Sequence, residues 1–186
     1  MTDCRGLGAA AGTGDFKLPI KIARAAGGLA MLAAAQAGAQ APPAAKPTPE
    51  YTTASASAEV ARPIAAVMAK TAGWCAITVW AKLPCRITSG RDGELGAVRL
   101  IADRITEVFV AKTATSYTYA APLAPNMYHG TVEYLPVDGG RGTRVVYTVF
   151  FDLAVHADAA AKQKEVAARQ ATVRRFADAI KAAAEG

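Results

Sequence analysis

The sequence predicts an α+β domain: a curved antiparallel sheet of about six or seven strands wrapped around one long C-terminal helix, with two short helices after the first strand. Three observations predict it. Beyond Cys85, short segments of alternating or continuously apolar residues are separated by turn-forming clusters, the pattern of successive antiparallel strands. From Ala157 to Glu185 the chain turns Ala-rich, and Val166, Ala167, Val173, Phe176, Ala177 and Ile180 recur at three- and four-residue steps, as on a long helix with one apolar and one charged face. A sheet that is apolar on one side must bury that side, and this helix is the only large element available to cover it.

The elements follow in order. "TTASASAEV", Thr52 to Val60, alternates small polar and apolar residues and suits a first strand. Pro63 stands where a helix accepts proline, in its first turn. In "PIAAVMAKTAGW" Ile64, Val67 and Met68 share one face and Gly73 supplies a stop. A second short helix carries Trp74, Ile77, Val79 and Trp80 up to Pro84. Strands are then expected in "CRIT", "AVRLIA", "RITEVFVAKT" and "TSYTYAAP", and, after the break "LAPN", in "MYHGTVEYLPV". "DGGRG" makes a hairpin turn into the last strand, "TRVVYTVFFDLAV". Both faces of that strand are apolar, one helix fills only part of a concave sheet, and the two short helices close one end. An interior cavity is the consequence.

The N-terminus reads differently. Lys17, Lys21 and Arg24 precede the short apolar run "AAGGLAMLAAA", which ends in A-x-A sites at 37–39 and 39–41. A basic region, a short apolar core and small residues at the cut describe a secretory signal peptide over residues 1–39. An Ala-rich surface helix or a retained anchor is the alternative, and the long lead ahead of Lys17 points to a later start. Residues 40–51, "QAPPAAKPTPEY", form a Pro/Ala-rich linker, and residues 52–186 the folded domain. The expected location is therefore the periplasm or the exterior, with no stable membrane insertion once the leader is gone.

Four of the 21 basic and two of the 15 acidic residues fall within 1–39, so the remainder carries 17 against 13. That mild, scattered excess lacks the cluster that nucleic acid demands. With two histidines and no Cys-x-x-Cys pair, ligands for a metal are missing, and neither a nucleophile elbow nor a phosphate loop is present. No cofactor is expected.

Several stretches, taken in order, resemble one family. "EVARPIAAVMA" is similar to its strand leading into a Pro-started helix, "GWCAITVW" to its Trp-containing second helix, and "GELGAVRLI" to its Gly-Val-Arg strand. "RITEVFVAKTATSYTYAAP" resembles its Glu-bearing strand and Ser-Tyr-x-Tyr strand, and "YHGTVEYLPVDGGRGTRVVYTVFFD" the hairpin before its final helix. The family is the SRPBCC superfamily, the START and Bet v 1-like helix-grip domains, in its polyketide cyclase/dehydrase and lipid transport branch. The likeness spans about residues 52–184. It implies a helix-grip fold with a ligand cavity, and it implies no single function, because carriers, cyclases, hydrolases and partner-binding modules share this fold.

Candidate site residues are polar or aromatic groups set in apolar strands. Glu107 either points into the cavity, where a carboxylate serves as general acid or base, or faces outward and pairs with Arg99 of a neighbouring strand. The outward reading is favoured, since one strand residue in two faces out. Tyr117 and Tyr119 share a face, as do Tyr128, Val132 and Tyr134, and they either line the pocket or pack against one another. Trp74, Trp80, Tyr147 and Phe176 complete the expected ligand-binding set; Phe176, alternatively, fills the space. Cys75 and Cys85 bracket the second helix, and export and fold together favour a disulfide there over two buried thiols.

The function expected is binding or carriage of a small hydrophobic or amphipathic molecule without chemistry. The alternatives are a cyclase or dehydratase using Glu107 with Tyr119 or His129, and a partner-binding module with no ligand.

Overall fold

The computed structural model describes residues 48–186. The expected leader and most of the expected linker lie outside the described residues. Eleven elements follow in chain order: β1 Tyr51–Val60, α1 Ile64–Thr71, α2 Ile77–Trp80, β2 Cys85–Ser89, β3 Val98–Ile101, β4 Ile105–Lys112, β5 Ser116–Ala120, β6 His129–Val137, a 3₁₀ turn Asp138–Gly140, β7 Gly142–Asp152 and α3 Ala159–Glu185. The strands form one antiparallel sheet in the order β1-β7-β6-β5-β4-β3-β2, so β1 and β2 are its edges. This is the helix-grip arrangement of seven strands about a C-terminal helix.

Alternation decides which side of each strand faces the helix. Ala54, Ala56, Ala58 and Val60 of β1 are buried, and they stand beside Val149, Tyr147, Val145 and Thr143 of β7 in the pairing register. Against this part of the sheet α3 buries Val173, Ala177, Ile180 and Ala184, one residue per turn. Asp158 caps the helix by accepting a hydrogen bond from the Ala161 N–H at 2.8 Å. Of the apolar face expected on α3, Ala167 is exposed, because it lies about a third of a turn away from the line of Val166, Val173, Ala177 and Ile180.

The polar side of α3 has a task too. Gln170, Arg174 and Lys181 donate to the carbonyls of Ser55, Ser57 and Glu59, the outward backbone acceptors along the β1 edge. At the other end of the grip, α1 starts behind Pro63 and buries Val67 and Thr71. The second helix is only four residues long and Trp74 precedes it, held by a hydrogen bond from its backbone N–H to the Asp92 carboxylate at 2.7 Å. A disulfide joins Cys75, just ahead of α2, to Cys85, the first residue of β2, across a Cα–Cα distance of 5.5 Å. It ties the short-helix lid to the sheet.

Candidate functional site

Between α3, the lid and the concave face of the sheet lies a cavity of about 260 Å³. Its apolar wall is Ile77 and Leu83 from the lid, Ile101 and Ile105 around the β3–β4 turn, Val149 from β7, and Val173 and Phe176 from α3. Tyr119, Tyr128 and Tyr147 bring hydroxyls to it, and Arg99 and Glu107 form its charged part.

The charged part is made by register. Arg99 and Glu107 stand directly opposite each other on β3 and β4, on the inward face with Ile101 and Phe109. Both are buried, at 1% and 3% exposure. Arg99 donates through Nε and Nη2 to Oε2 of Glu107 at 2.8 and 2.6 Å, and through Nη1 to the Trp74 carbonyl. Tyr128 donates its hydroxyl to Oε1 of Glu107 at 2.9 Å. The Trp74 ring lies under the guanidinium at 3.9 Å from its centroid. A pair taken out of water is tolerable only when its remaining hydrogen-bonding sites are met, and this one has a carbonyl, a phenol and an indole face around it. Burial is the largest influence and works against the Arg99 charge, yet the Glu107 carboxylate together with Tyr117, Tyr147 and Tyr119 more than offsets it, and the guanidinium pKa lies above its ordinary value.

Glycine makes room for the second polar feature. Gly130 of β6 lies opposite Tyr119 of β5, and a Cβ there would meet the Tyr119 ring at 2.1 Å. The phenol therefore lies over bare backbone and reaches Tyr147, with a hydroxyl–hydroxyl distance of 2.6 Å. Burial drives the Tyr117, Tyr119, Tyr128 and Tyr147 hydroxyls up from their ordinary pKa, and Tyr134 to about 12. At neutral pH they are uncharged hydrogen-bonding groups.

The structure corrects two expectations and sorts the rest. Glu107 pairs with Arg99 as expected of the outward reading, but on the inner face: β4 is apolar on both sides, so its alternation does not tell in from out. His129 lies on the outer face, exposed and beside Phe150, which removes it from any chemistry in the cavity. Tyr119, Tyr128, Tyr147, Phe176 and Glu107 line the cavity. Trp80 packs edge-on against Tyr147 and Phe176 and lines a neighbouring cavity instead. Trp74 and Tyr117 are not in the wall; they pack behind it, with Phe109. The charged wall residues not anticipated are Arg104, Arg169 and Arg175. Arg169 stacks on Tyr128 at 4.6 Å and pairs with Glu165 at 2.7 Å, and Glu165 also accepts from Asn126. Arginines on a charged helix face give no signal of their own in sequence. Among the described residues no three metal-ligating side chains converge, and no helix is long and apolar enough to cross a membrane.

A seven-stranded grip on one helix, with an aliphatic cavity and a buried ion pair at its inner side, agrees with the profile that matches residues 51–185, that of polyketide cyclase / dehydrase and lipid transport proteins. The chain belongs to that family. No curated protein matches it. Among solved structures, a protein from Nitrosospira multiformis has 18% identity and a TM-score of 0.59 over 70% of this chain and 94% of its own. XoxI from Bacillus cereus has 19% identity and a TM-score of 0.59, covering 72% and 94%. The structure of Ara h 8.0201 has 15% identity and a TM-score of 0.52, covering 73% and 98%. At these identities the likeness to solved structures is one of fold alone, and the SRPBCC superfamily expected from the sequence rests on the match to the polyketide cyclase / dehydrase and lipid transport family.

Proposed function

We propose that this protein is an exported carrier that holds a small hydrophobic or amphipathic molecule in the cavity between α3 and the sheet and leaves it chemically unchanged. The observation that carries the reading is the cavity itself: its wall is mostly aliphatic and aromatic, and a few placed hydroxyls and charged groups among such side chains are the usual make-up of a small-molecule site. Export is supported by the leader-like N-terminus and by the Cys75–Cys85 bond, which suits an oxidising compartment. Native mass spectrometry of protein recovered from the host's envelope, with a thermal-shift panel of fatty acids, sterols and polyketides, tests it. A co-purifying small molecule and a raised melting temperature are expected; bare protein with no shift across the panel overturns the reading.

One observation favours a second reading, a cyclase- or dehydratase-like enzyme: Glu107, Tyr119 and Tyr147 do face the same cavity. Against it, both Glu107 oxygens are engaged, one by Arg99 and one by Tyr128. A general base needs a free acceptor within reach of substrate. Glu107→Gln that abolishes turnover of some bound polyketide while binding persists would replace the carrier with the enzyme.

A further inference from the structure

Among the described residues the cavity wall holds four arginines and a single carboxylate. Arg99 is spoken for by Glu107, and Arg169 by Glu165. Arg104, in the β3–β4 turn, and Arg175, on α3, are exposed, and neither has a carboxylate within ion-pair distance among the described residues. The nearby acids do not neutralise them: Asp103 turns to Arg86 at 3.6 Å, and Asp178, about one turn along α3 from Arg175, makes no ion pair with it.

Their positions are not arbitrary. A second cavity of about 240 Å³ shares Arg104, Ile105 and Tyr128 with the central one, and a third of about 300 Å³ shares Leu83, Arg175 and Phe176. Each unneutralised guanidinium therefore stands where the central cavity meets a neighbouring one, beside aliphatic and aromatic wall and in contact with solvent. A cation against low-dielectric walls focuses its field into the cleft. Its planar fork matches carboxylate and phosphate oxygens, and the binding is strongest where water is partly excluded.

We propose that the ligand is an anionic amphiphile whose acid group, carboxylate or phosphate, is held by Arg104 and Arg175 at the rim while its apolar part lies against the aliphatic wall. This rests on the carrier reading and names the ligand class for the same cavity. An acid at the rim leaves the inner Arg99–Glu107 pair intact, which an acid driven deep into the cavity would not.

Isothermal titration of the folded chain with four probes of equal chain length decides it: decanol, decanoate, decyl phosphate and decyltrimethylammonium. The two anions are expected to bind about tenfold more tightly than decanol, and the cation more weakly than decanol. Whichever anion binds better identifies the acid. Arg104→Gln and Arg175→Gln should each weaken the anions about three- to tenfold, with decanol affinity and melting temperature unchanged. Anions that bind no better than decanol overturn the inference and leave the carrier reading standing. Variants that lose decanol and anions alike also overturn it, since the arginines would then be shaping the wall. Binding of none of the four overturns both readings together.

Discussion

The two sides of the sheet solve the same burial problem in opposite ways. Under α3 the inward residues of β1 are Ala54, Ala56 and Ala58, met by Ala177 and Ala184 from the helix, so backbone comes close to backbone and the space is filled. On β4 and β5 the inward residues are Glu107, Phe109, Tyr117 and Tyr119, long side chains covered by Trp74, by Arg99 and by the tyrosines of the neighbouring strands. Small residues mark where an element docks; large ones mark where the sheet must provide its own cover. The cavity lies between these regimes, where neither solution is complete.

The largest effect that would break this comparison is removal of one partner of the buried pair. Arg99→Met leaves the Glu107 carboxylate without its guanidinium and is expected to cost about 3–5 kcal/mol, whereas Arg99→Met with Glu107→Leu should recover most of that loss. Urea denaturation of the single and double variants checks it, and a double variant as unstable as the single would show that the pair organises the lid and not merely its own charge. Next comes the staple. Reducing Cys75–Cys85, a loop spanning a sequence separation of 10, should cost roughly 2–3 kcal/mol and several degrees of melting temperature. Hydrogen exchange should then report faster opening around Trp74 and Trp80 with little change in β1 and β7.

How much of this was legible in the sequence follows from the same contrast. Strand positions were readable because β1, β5 and β6 alternate cleanly; in "YHGTVEY" the alternation that buries Tyr128, Val132 and Tyr134 puts His129, of opposite parity, on the exposed face. In "RITEVFV" both parities are apolar, so the face of Glu107 was not readable from β4 alone. The pairing register supplies it: Arg99 shares parity with the buried Ala97 and Ile101, and Glu107 stands across from Arg99. The rim arginines were illegible for another reason. They belong to a turn and to the charged face of α3, and only the distance between helix and sheet turns such positions into cavity wall.

Smaller substitutions sharpen the comparison. Ala177→Leu, at a fully buried position in the filled half, is expected to destabilise by about 1–3 kcal/mol because nothing can move aside. Ile105→Phe, on the cavity wall, should be neutral or stabilising by up to about 2 kcal/mol and should abolish decanol binding. Equal losses in the two variants, measured by thermal unfolding, would mean that the halves are packed alike.

The smallest effect belongs to the end of α3. Glu185 accepts from the Ala61 N–H and from Lys181, and these hold its pKa below the ordinary 4.5. A lowered carboxylate pKa contributes stability that is present above the unfolded value and lost as the pH falls through the folded one. The difference in melting temperature between the parent and Glu185→Gln should therefore be constant near neutrality and shrink below about pH 4.5. A difference that grows in acid would reverse the assignment.

The side chains that α3 lays along β1 carry a consequence for the life of the protein at high concentration. An exposed strand edge is a template on which a second copy can pair. Gln170, Arg174 and Lys181 occupy the Ser55, Ser57 and Glu59 carbonyls that an incoming strand would need. The helix that fills the grip thus also guards its open border. At the far border the same vulnerability is limited by brevity, since β2 is five residues long and interrupted by a register shift. Fraying of the last turns of α3 would free the Glu59 carbonyl at the end of this edge as it uncovers Ile180 and Ala184, while Gln170 and Arg174 still hold the Ser55 and Ser57 carbonyls.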